Sequence, residues 1–362
     1  MTIYYAFMII SVITYYLYRA DKLLEMRKIY CIFAGAFVFS LFAFRDISLG
    51  MFDVEENYTR IFYTIAEQPF SCIFRRYSSD YLFYIYTKIV TIFTSNINVY
   101  LAVSALPIVC ATAILIYRYS KYPWLSWIMF FCLGFFSEHV TIMRQSVAMA
   151  LSIFMYMELQ KENYKRATIL WFLSVGFHIT AIISIVLIVI KKWRMQINLK
   201  IICMVLGLSV LCFMFSDRVF ELAFSLIPFE RFNRYSLHLS SFNATLFLIN
   251  LLQCLFCVVF HYWMTACERK KNELERDTQT DNNLLVILLC SLPFYALTNT
   301  FSVIYRVGLY FSQFAIIAIP NFTRKSPIII RGLIVFILIG IYFYYGAVRG
   351  LGEVSPYLSV TL

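Results

Sequence analysis

The fold of this chain is decided by residues 137–193, which read SEHVTIMRQSVAMALSIFMYMELQKENYKRATILWFLSVGFHITAIISIVLIVIKKW. The stretch contains two apolar segments that are joined by a basic turn. Arg144 and Gln145 open the first segment, and His178 lies in the middle of the second. A charged or titratable side chain inside a membrane segment costs roughly 2.5–3.5 kcal/mol to insert, so it usually has a partner or a function. These three residues are therefore the first candidates for a functional site.

The composition is that of a polytopic membrane protein. Hydrophobic residues make up 61% of the chain and charged residues 14%, with a mean hydropathy of +0.75, whereas a soluble domain carries about 25% charged residues. Apolar windows long enough for membrane helices cover residues 3–18, 29–45, 82–96, 98–117, 123–137, 145–159, 200–215, 244–263, 284–298, 307–321 and 330–346. We therefore expect an all-α integral membrane protein with about 11 hydrophobic helices.

The segment 167–190 needs a different interpretation because basic loops flank it on both sides. Loops rich in Lys and Arg face the cytoplasm, so this segment must enter and leave the membrane on the same side. Two half-length helices that meet near His178, just after Gly176, satisfy this requirement, since broken helices occur where they line a polar cavity. One continuous helix with a buried histidine is the alternative. The same argument predicts that segment 82–96 is re-entrant or lies along the interface.

Several classes of function find no support in the sequence. The net charge of +11 resides in short loops and not in a basic arm, so we expect no nucleic-acid partner. Cys254 and Cys257 have C-x-x-C spacing but lie within an apolar helix as packing residues. His139, His238 and His261 lack metal-ligand spacing, and no nucleotide-binding glycine loop is present. We therefore expect neither a metal nor a cofactor.

The cations that this topology places outside are almost all arginines. They are Arg45, Arg60, Arg75, Arg76, Arg144, Arg218, Arg231, Arg234, Arg306 and Arg349, with Lys88 as the only lysine. The guanidinium group presents a planar fork of donors that suits phosphates and carboxylates. An outer cavity built from arginines therefore predicts a ligand that bears phosphate.

Four stretches together resemble a known signature. MRQSVAMALSIFMYMELQKENYKRATILWFLSVGFHITAIISIVL has an Arg-Gln that opens a small-residue helix, then a basic turn and an apolar run ending in Phe-His. SLFAFRDISLGMFDVEENY has an arginine, Gly, Asp and Tyr, and SSDYLFYIYTKIV follows it. SVIYRVGLYFSQFAIIAIPNF opens with an arginine and runs through aromatics to a proline. In order and spacing, these stretches resemble the EpsG family of Wzy-like bacterial exopolysaccharide polymerases.

The resemblance implies a GT-C/Wzy-like fold in one membrane domain over residues 1–362, with outer loops at about 46–81 and 216–243. It implies polymerisation of repeat units carried on undecaprenyl diphosphate, at the outer face of the bacterial cytoplasmic membrane. The expected partners are the undecaprenyl-diphosphate-linked oligosaccharide and membrane lipids, together with a chain-length regulator and a flippase. Product classes that fit are O-antigen, capsule and exopolysaccharide.

Such a transfer needs cations that stabilise the leaving diphosphate and a base on the acceptor hydroxyl. The catalytic candidates are Arg144, Arg306, His178 and Asp53. The substrate-binding candidates, which include outer-loop residues and the neighbours of Arg144, are Arg45, Gln145, Tyr58, Glu138, Arg231, Arg234 and Tyr235. Each also has a structural alternative, such as an arginine that reaches toward head groups.

The assignment of Asp53 departs from the family pattern. The pattern has Gly-Thr-Asp with a tyrosine about four residues later, whereas Asp53 follows Gly50-Met51-Phe52 and leads to Tyr58. Glu55 or Glu56 is the alternative acid.

Three other functions stay open at the level of sequence. A lipid-linked oligosaccharide flippase or another transporter also needs a cationic cavity, although no inverted repeat of segments is visible. An O-antigen ligase-like transferase would share the arginines and the histidine. A non-enzymatic partner of a secretion complex would leave His178 within its apolar segment unexplained.

Overall fold

The computed structural model describes residues 2–18, 20–49, 53–77, 79–195, 197–226, 244–270, 278–344 and 357–359. The named elements in these ranges are all helices. They fall into two compact units, Met1–Ile185 with Ile319–Leu362, and Val186–Ala318. The expectation of one domain over residues 1–362 stays a prediction.

The first unit holds most of the helices. They are α1 Thr2–Leu17, α2 Leu24–Ala43, a π-helix Asp53–Tyr58, α3 Thr59–Glu67, α4 Ser71–Arg76, α5 Tyr81–Phe93, α6 Ile97–Tyr119, α7 Pro123–Cys132, α8 Phe135–Thr141, α9 Met143–Gln160, α10 Tyr164–Phe177 and a 3-10 helix Ile179–Ser184. The predicted outer loop 46–81 is therefore largely helical.

The second unit begins within α11 Ile185–Lys192. It continues with α12 Leu199–Met214, α13 Ser216–Leu226, α14 Ala244–Lys270, α15 Thr278–Leu289, α16 Leu292–Ala296, 3-10 turns at Leu297–Asn299 and Ser302–Ile304, and α17 Tyr305–Ser312. In sequence, α18 Ala315–Phe322 lies across the boundary between the units, and α19 Ile328–Phe343 belongs to the first. Most of the predicted outer loop 216–243 lies outside the described residues.

The stretch 137–193 is built on a helical hairpin of α9 and α10. Small residues on α9 let the two backbones approach closely, as in membrane helix pairs. The Ser174 hydroxyl of α10 donates to the Ala148 carbonyl at 2.7 Å and lies 3.2 Å from the Ser152 hydroxyl. In the turn, the Asn163 side chain accepts from the Arg166 amide and caps α10.

The chain folds back at His178, which confirms the predicted break in the second apolar segment. His178 has an extended backbone (φ −153°, ψ 122°) and separates α10 from the 3-10 helix. The Trp171 indole N–H donates to the Ile182 carbonyl at 3.2 Å, whereas a continuous helix would place these residues about 16 Å apart. A side chain at Gly176 would collide with Leu82 of α5. The glycine thus allows α5 to pack against the end of α10.

The described residues support a helical membrane protein but not the expected count of about 11 spanning helices. Four stretches are long and apolar enough to cross a membrane, and these are Leu24–Ala43, Ile97–Tyr119, Thr245–Cys267 and Gln279–Asn299. A fifth is added if Leu199–Met214 and Ser216–Leu222, which are bent by 83°, count as one span.

Two of the predicted windows are interrupted by the backbone. Window 123–137 contains α7 and the start of α8, which meet at Gly134 in a left-handed conformation (φ 81°). Window 307–321 is divided between α17 and α18. Hydropathy counts apolar residues and does not register a glycine that ends a helix, so the first window appears continuous in sequence. The second window is interrupted at Gln313 and Phe314.

Candidate active site

The centre of the site is the carboxylate of Asp80, which joins three separate elements of the first unit. Arg144 Nη1, at the start of α9, donates to Asp80 Oδ2 at 3.3 Å. His178 Nδ1, at the end of α10, lies 3.4 Å from the same oxygen. The Ile179 amide donates to Oδ1 at 3.0 Å. We call Asp80, Arg144 and His178 the Asp80 cluster.

Exposure differs across the Asp80 cluster. The Asp80 side chain is 1% exposed, whereas the side chains of Arg144 and His178 are 17% and 21% exposed. The carboxylate is therefore more deeply buried than the two side chains that it contacts. Asp80 thus contacts both side chains from the buried side, and Arg144 and His178 are each partly exposed.

The backbone of Asp80 is in the left-handed region, with φ 60° and ψ 31° at the residue before α5. This conformation costs roughly 1–2 kcal/mol for a residue with a side chain. The three hydrogen-bond partners of the carboxylate offset that cost, and strain of this kind concentrates at functional sites.

Aromatic residues fix Arg144 on its other sides. Its Nη1 also donates to the Tyr84 hydroxyl at 2.9 Å, and Tyr77 stacks on the Tyr84 ring with 3.5 Å between centroids. The backbone N–H of Arg144 donates to the Tyr58 hydroxyl at 3.3 Å, which satisfies one of the amides left without a helical partner at the start of α9. The guanidinium carbon lies 5.8 Å from the Tyr58 ring and 5.9 Å from the Phe83 ring, within cation–π range.

Electrostatics keep the central carboxyl ionised. Burial alone would raise the pKa of Asp80, but the hydrogen bond and charge of His178, the charge of Arg144 and the Ile179 amide together hold that pKa below its usual range. An ionised carboxylate can only accept hydrogen bonds. The proton between the two side chains therefore belongs to Nδ1 of His178, and in the neutral ring Nε2 carries a lone pair.

Tyr58 interacts electrostatically with both Arg144 and Arg45. Arg45 is only 2% exposed. Its Nη1 donates to the Val140 carbonyl at 3.2 Å, and its backbone pairs with Ser359. The guanidinium of the predicted binding residue Arg45 is therefore buried against α8.

The EpsG family matches residues 28–359, nearly the whole chain and all of the Asp80 cluster. The chain belongs to the EpsG family. No curated protein and no solved structure matches it. Membership in the EpsG family confirms the resemblance carried by the Arg-Gln and Phe-His stretches, and it indicates a membrane protein of the polysaccharide polymerase type.

The other predicted residues of this EpsG protein belong to several elements. Asp53, in the π-helix, interacts electrostatically with Tyr58. Gln145 follows Arg144 in α9 and is buried, and Glu138 is half-buried in α8. Arg306 belongs to the second unit, in α17. Arg231, Arg234 and Tyr235 lie outside the described residues, and within the described ranges no group of three His, Cys, Asp or Glu side chains gathers for a metal.

Sequence reasoning missed Asp80 and Tyr84, although both lie in the quoted stretch SSDYLFYIYTKIV. One signal was available. Asp80 is the only acidic residue between Glu67 and Glu138, and it directly precedes an apolar segment. The cost argument that selected Arg144 at the start of its segment applies equally to this aspartate.

Proposed function

We propose that this protein is a polysaccharide polymerase that transfers glycan from an undecaprenyl-diphosphate-linked donor to a lipid-linked repeat unit. The observation that carries the proposal is the Asp80 cluster, in which one oxygen of a buried carboxylate contacts both an imidazole and a guanidinium. EpsG family membership supports the class of reaction. A base and a cation side by side are what a transfer from a diphosphate leaving group requires.

His178 is the proposed general base. Its Nε2 takes the proton of the acceptor hydroxyl while that oxygen attacks the anomeric carbon of the donor. The bond from the anomeric carbon to the phosphate oxygen breaks, and the diphosphate leaves with the electron pair. Asp80 stabilises the imidazolium that forms, because its ionised oxygen lies 3.4 Å from Nδ1.

Arg144 is the proposed cation for the leaving group. Its Nη1 is held by Asp80 and Tyr84, so the guanidinium enters the reaction in a fixed orientation. A positioned cation stabilises charge that develops in the transition state without reorganisation at that moment. Arg306 is the proposed second cation by resemblance to the family, and Asp53 is an alternative base although its spacing departs from the family pattern.

The proposed setting follows the family and the basic loops. The site would face the outside of the bacterial cytoplasmic membrane, where the lipid-linked oligosaccharide is presented, and the architecture would be GT-C/Wzy-like. A flippase would supply the substrate, and a chain-length regulator would act on the product. Exopolysaccharide, capsule and O-antigen are all products of this class of reaction.

The test uses purified full-length protein in lipid nanodiscs with lipid-linked repeat units isolated from a strain that lacks this gene. The proposal expects release of undecaprenyl diphosphate together with chains of two or more repeat units, and neither product with His178→Ala. Release that occurs only with a lipid A core acceptor would indicate a ligase-like transferase. Movement of substrate between leaflets of sealed vesicles, with no release of diphosphate, would indicate a flippase.

A further inference from the structure

A cleft lies at the opposite end of the α9–α10 hairpin from the Asp80 cluster. It has a volume of about 460 Å³ and is bounded by the end of α6, the end of α9 and the start of α10. Arg144 opens α9 and Glu158 lies near its end, so the two sites are separated by about 21 Å along one helix. The cleft is therefore separate from the proposed active site.

The rim of the cleft carries three cations and one carboxylate, Arg118, Lys161, Arg166 and Glu158. Glu158 is 14% exposed and pairs with Lys161, while Arg166 Nη1 lies 4.0 Å from its Oε2. The side chains of Lys161 and Arg166 are 50% and 73% exposed, so their remaining donors face outward. The rim has a net charge of +2, which favours an anion.

The walls of the cleft are apolar. They are formed by Ile114, Phe154, Met157, Ile169 and Leu170. Exposed Ile169, Phe172 and Leu173 continue this surface along α10, away from the rim. A ligand that fits must therefore combine a charged head with an apolar tail.

The rim lies at one end of a helix that is long and apolar enough to cross a membrane. α6 is long and apolar enough to cross a membrane, and Arg118 lies in its last turn. Basic pockets between membrane helices on the cytoplasmic side bind anionic head groups. The positive-inside rule places this basic end in the cytoplasm.

We propose that this cleft binds an anionic glycerophospholipid of the inner leaflet. The phosphate lies against Arg118, Lys161 and Arg166, and an acyl chain follows the apolar surface of α10. Arg118 already interacts electrostatically with Glu158, so the bound phosphate completes a charge network that ties the end of α6 to the α9–α10 turn. This binding is independent of the reaction proposed at the Asp80 cluster.

The test measures lipid binding to the purified full-length chain in a neutral detergent by native mass spectrometry and by thermal melting. Phosphatidylglycerol is compared with phosphatidylcholine, which has chains but no net charge, and with glycerol phosphate, which has the charge but no chains. We expect phosphatidylglycerol to bind at least fivefold more tightly than the other two and to raise the melting temperature.

Substitutions of residues that line the cleft test whether phosphatidylglycerol binds there. Arg166→Gln and Arg118→Gln should each weaken phosphatidylglycerol binding at least fivefold, and Ile169→Trp should do so by filling the cleft. Lys165→Gln is the matched control, because Lys165 is an exposed neighbour of Arg166 that does not line the cleft. Equal binding of the charged and neutral lipids, equal binding of glycerol phosphate, or an equal loss in the control would overturn the proposal.

Discussion

Asp80 Oδ2 lies 3.4 Å from Nδ1 of His178, although 98 residues separate the two in the chain. The same oxygen accepts from Arg144. One buried atom therefore sets the orientation of both groups that face the proposed substrate. Substitution of Asp80 should disturb both Arg144 and His178. Substitution of Arg144 or His178 leaves the remaining side chain in contact with the Asp80 carboxylate.

Arg144→Lys should lose polymerisation nearly as fully as Arg144→Ala. A lysine has a single charged nitrogen and cannot hold Asp80, Tyr84 and a phosphate with a planar fork. The measurement is the chain-length distribution of polymer from cells that express each variant at the wild-type level. A normal distribution in the lysine variant would remove Arg144 from the reaction.

Replacement of His178 should abolish activity while the protein stays folded. His178 is partly exposed and is bonded through one ring nitrogen, so its loss costs little packing, whereas a general base contributes about 100- to 10,000-fold. His178→Ala and His178→Gln should melt within a few degrees of the wild type and retain lipid-linked substrate. Stable protein that still makes long chains would exclude His178 as the base.

Asp80 should matter for stability more than His178 does. Asp80→Ala leaves Arg144 without its carboxylate, and loss of one partner of a buried ion pair costs roughly 3–5 kcal/mol. Glu56→Gln is the control, because the exposed pair of Glu56 with Arg60 belongs to a class worth about 0–1 kcal/mol. Equal melting temperatures for Asp80→Ala and Glu56→Gln would contradict the described role of Asp80.

The contribution of Asp80 to the stability of the folded protein should decrease at low pH. Its pKa is lowered in the folded protein, chiefly by His178 and Arg144 against the effect of burial. The stabilisation is therefore fully present above the unfolded pKa of about 3.9 and is lost as the pH falls through the lower folded value. The melting temperature of the wild type should exceed that of Asp80→Asn between pH 7 and pH 5. The difference should shrink below pH 4.

The topology is tested by cysteine labelling in a background without reactive native cysteines. Cysteines at Lys161 and Lys192 should both be shielded from an impermeant thiol reagent applied outside, because the basic loops belong in the cytoplasm. A cysteine at Ser240, which lies outside the described residues, should react. Labelling at only one of the two lysine positions would show that residues 167–190 cross the membrane once.

The break at His178 was predictable because it follows from local information. Basic loops on both sides and Gly176 before the histidine required the chain to reverse, and the structure shows the reversal through the Trp171–Ile182 hydrogen bond. Arg144 and His178 were found by the cost of placing polar groups in apolar segments. Both signals can be read within a short stretch of sequence.

The pairing of Asp80 with Arg144 was not predictable in the same way. The contact joins the start of α5 to the start of α9 across 64 residues, and nothing in the spacing of the sequence specifies which helix ends meet. Helix continuity was also overestimated, because a left-handed Gly134 divides an apolar window without changing its hydropathy. Tertiary contacts and backbone handedness decide these features.

The left-handed backbone of Asp80 also restricts the residue types that can occupy this position. Glycine, asparagine and aspartate adopt that conformation most readily, and of these only aspartate carries a negative charge. Glutamate keeps the charge but is less suited to the backbone, and its extra methylene has to fit between Arg144 and His178. Asp80→Glu, which is usually a conservative substitution, should therefore disrupt this site, and aspartate is the residue that best meets both requirements.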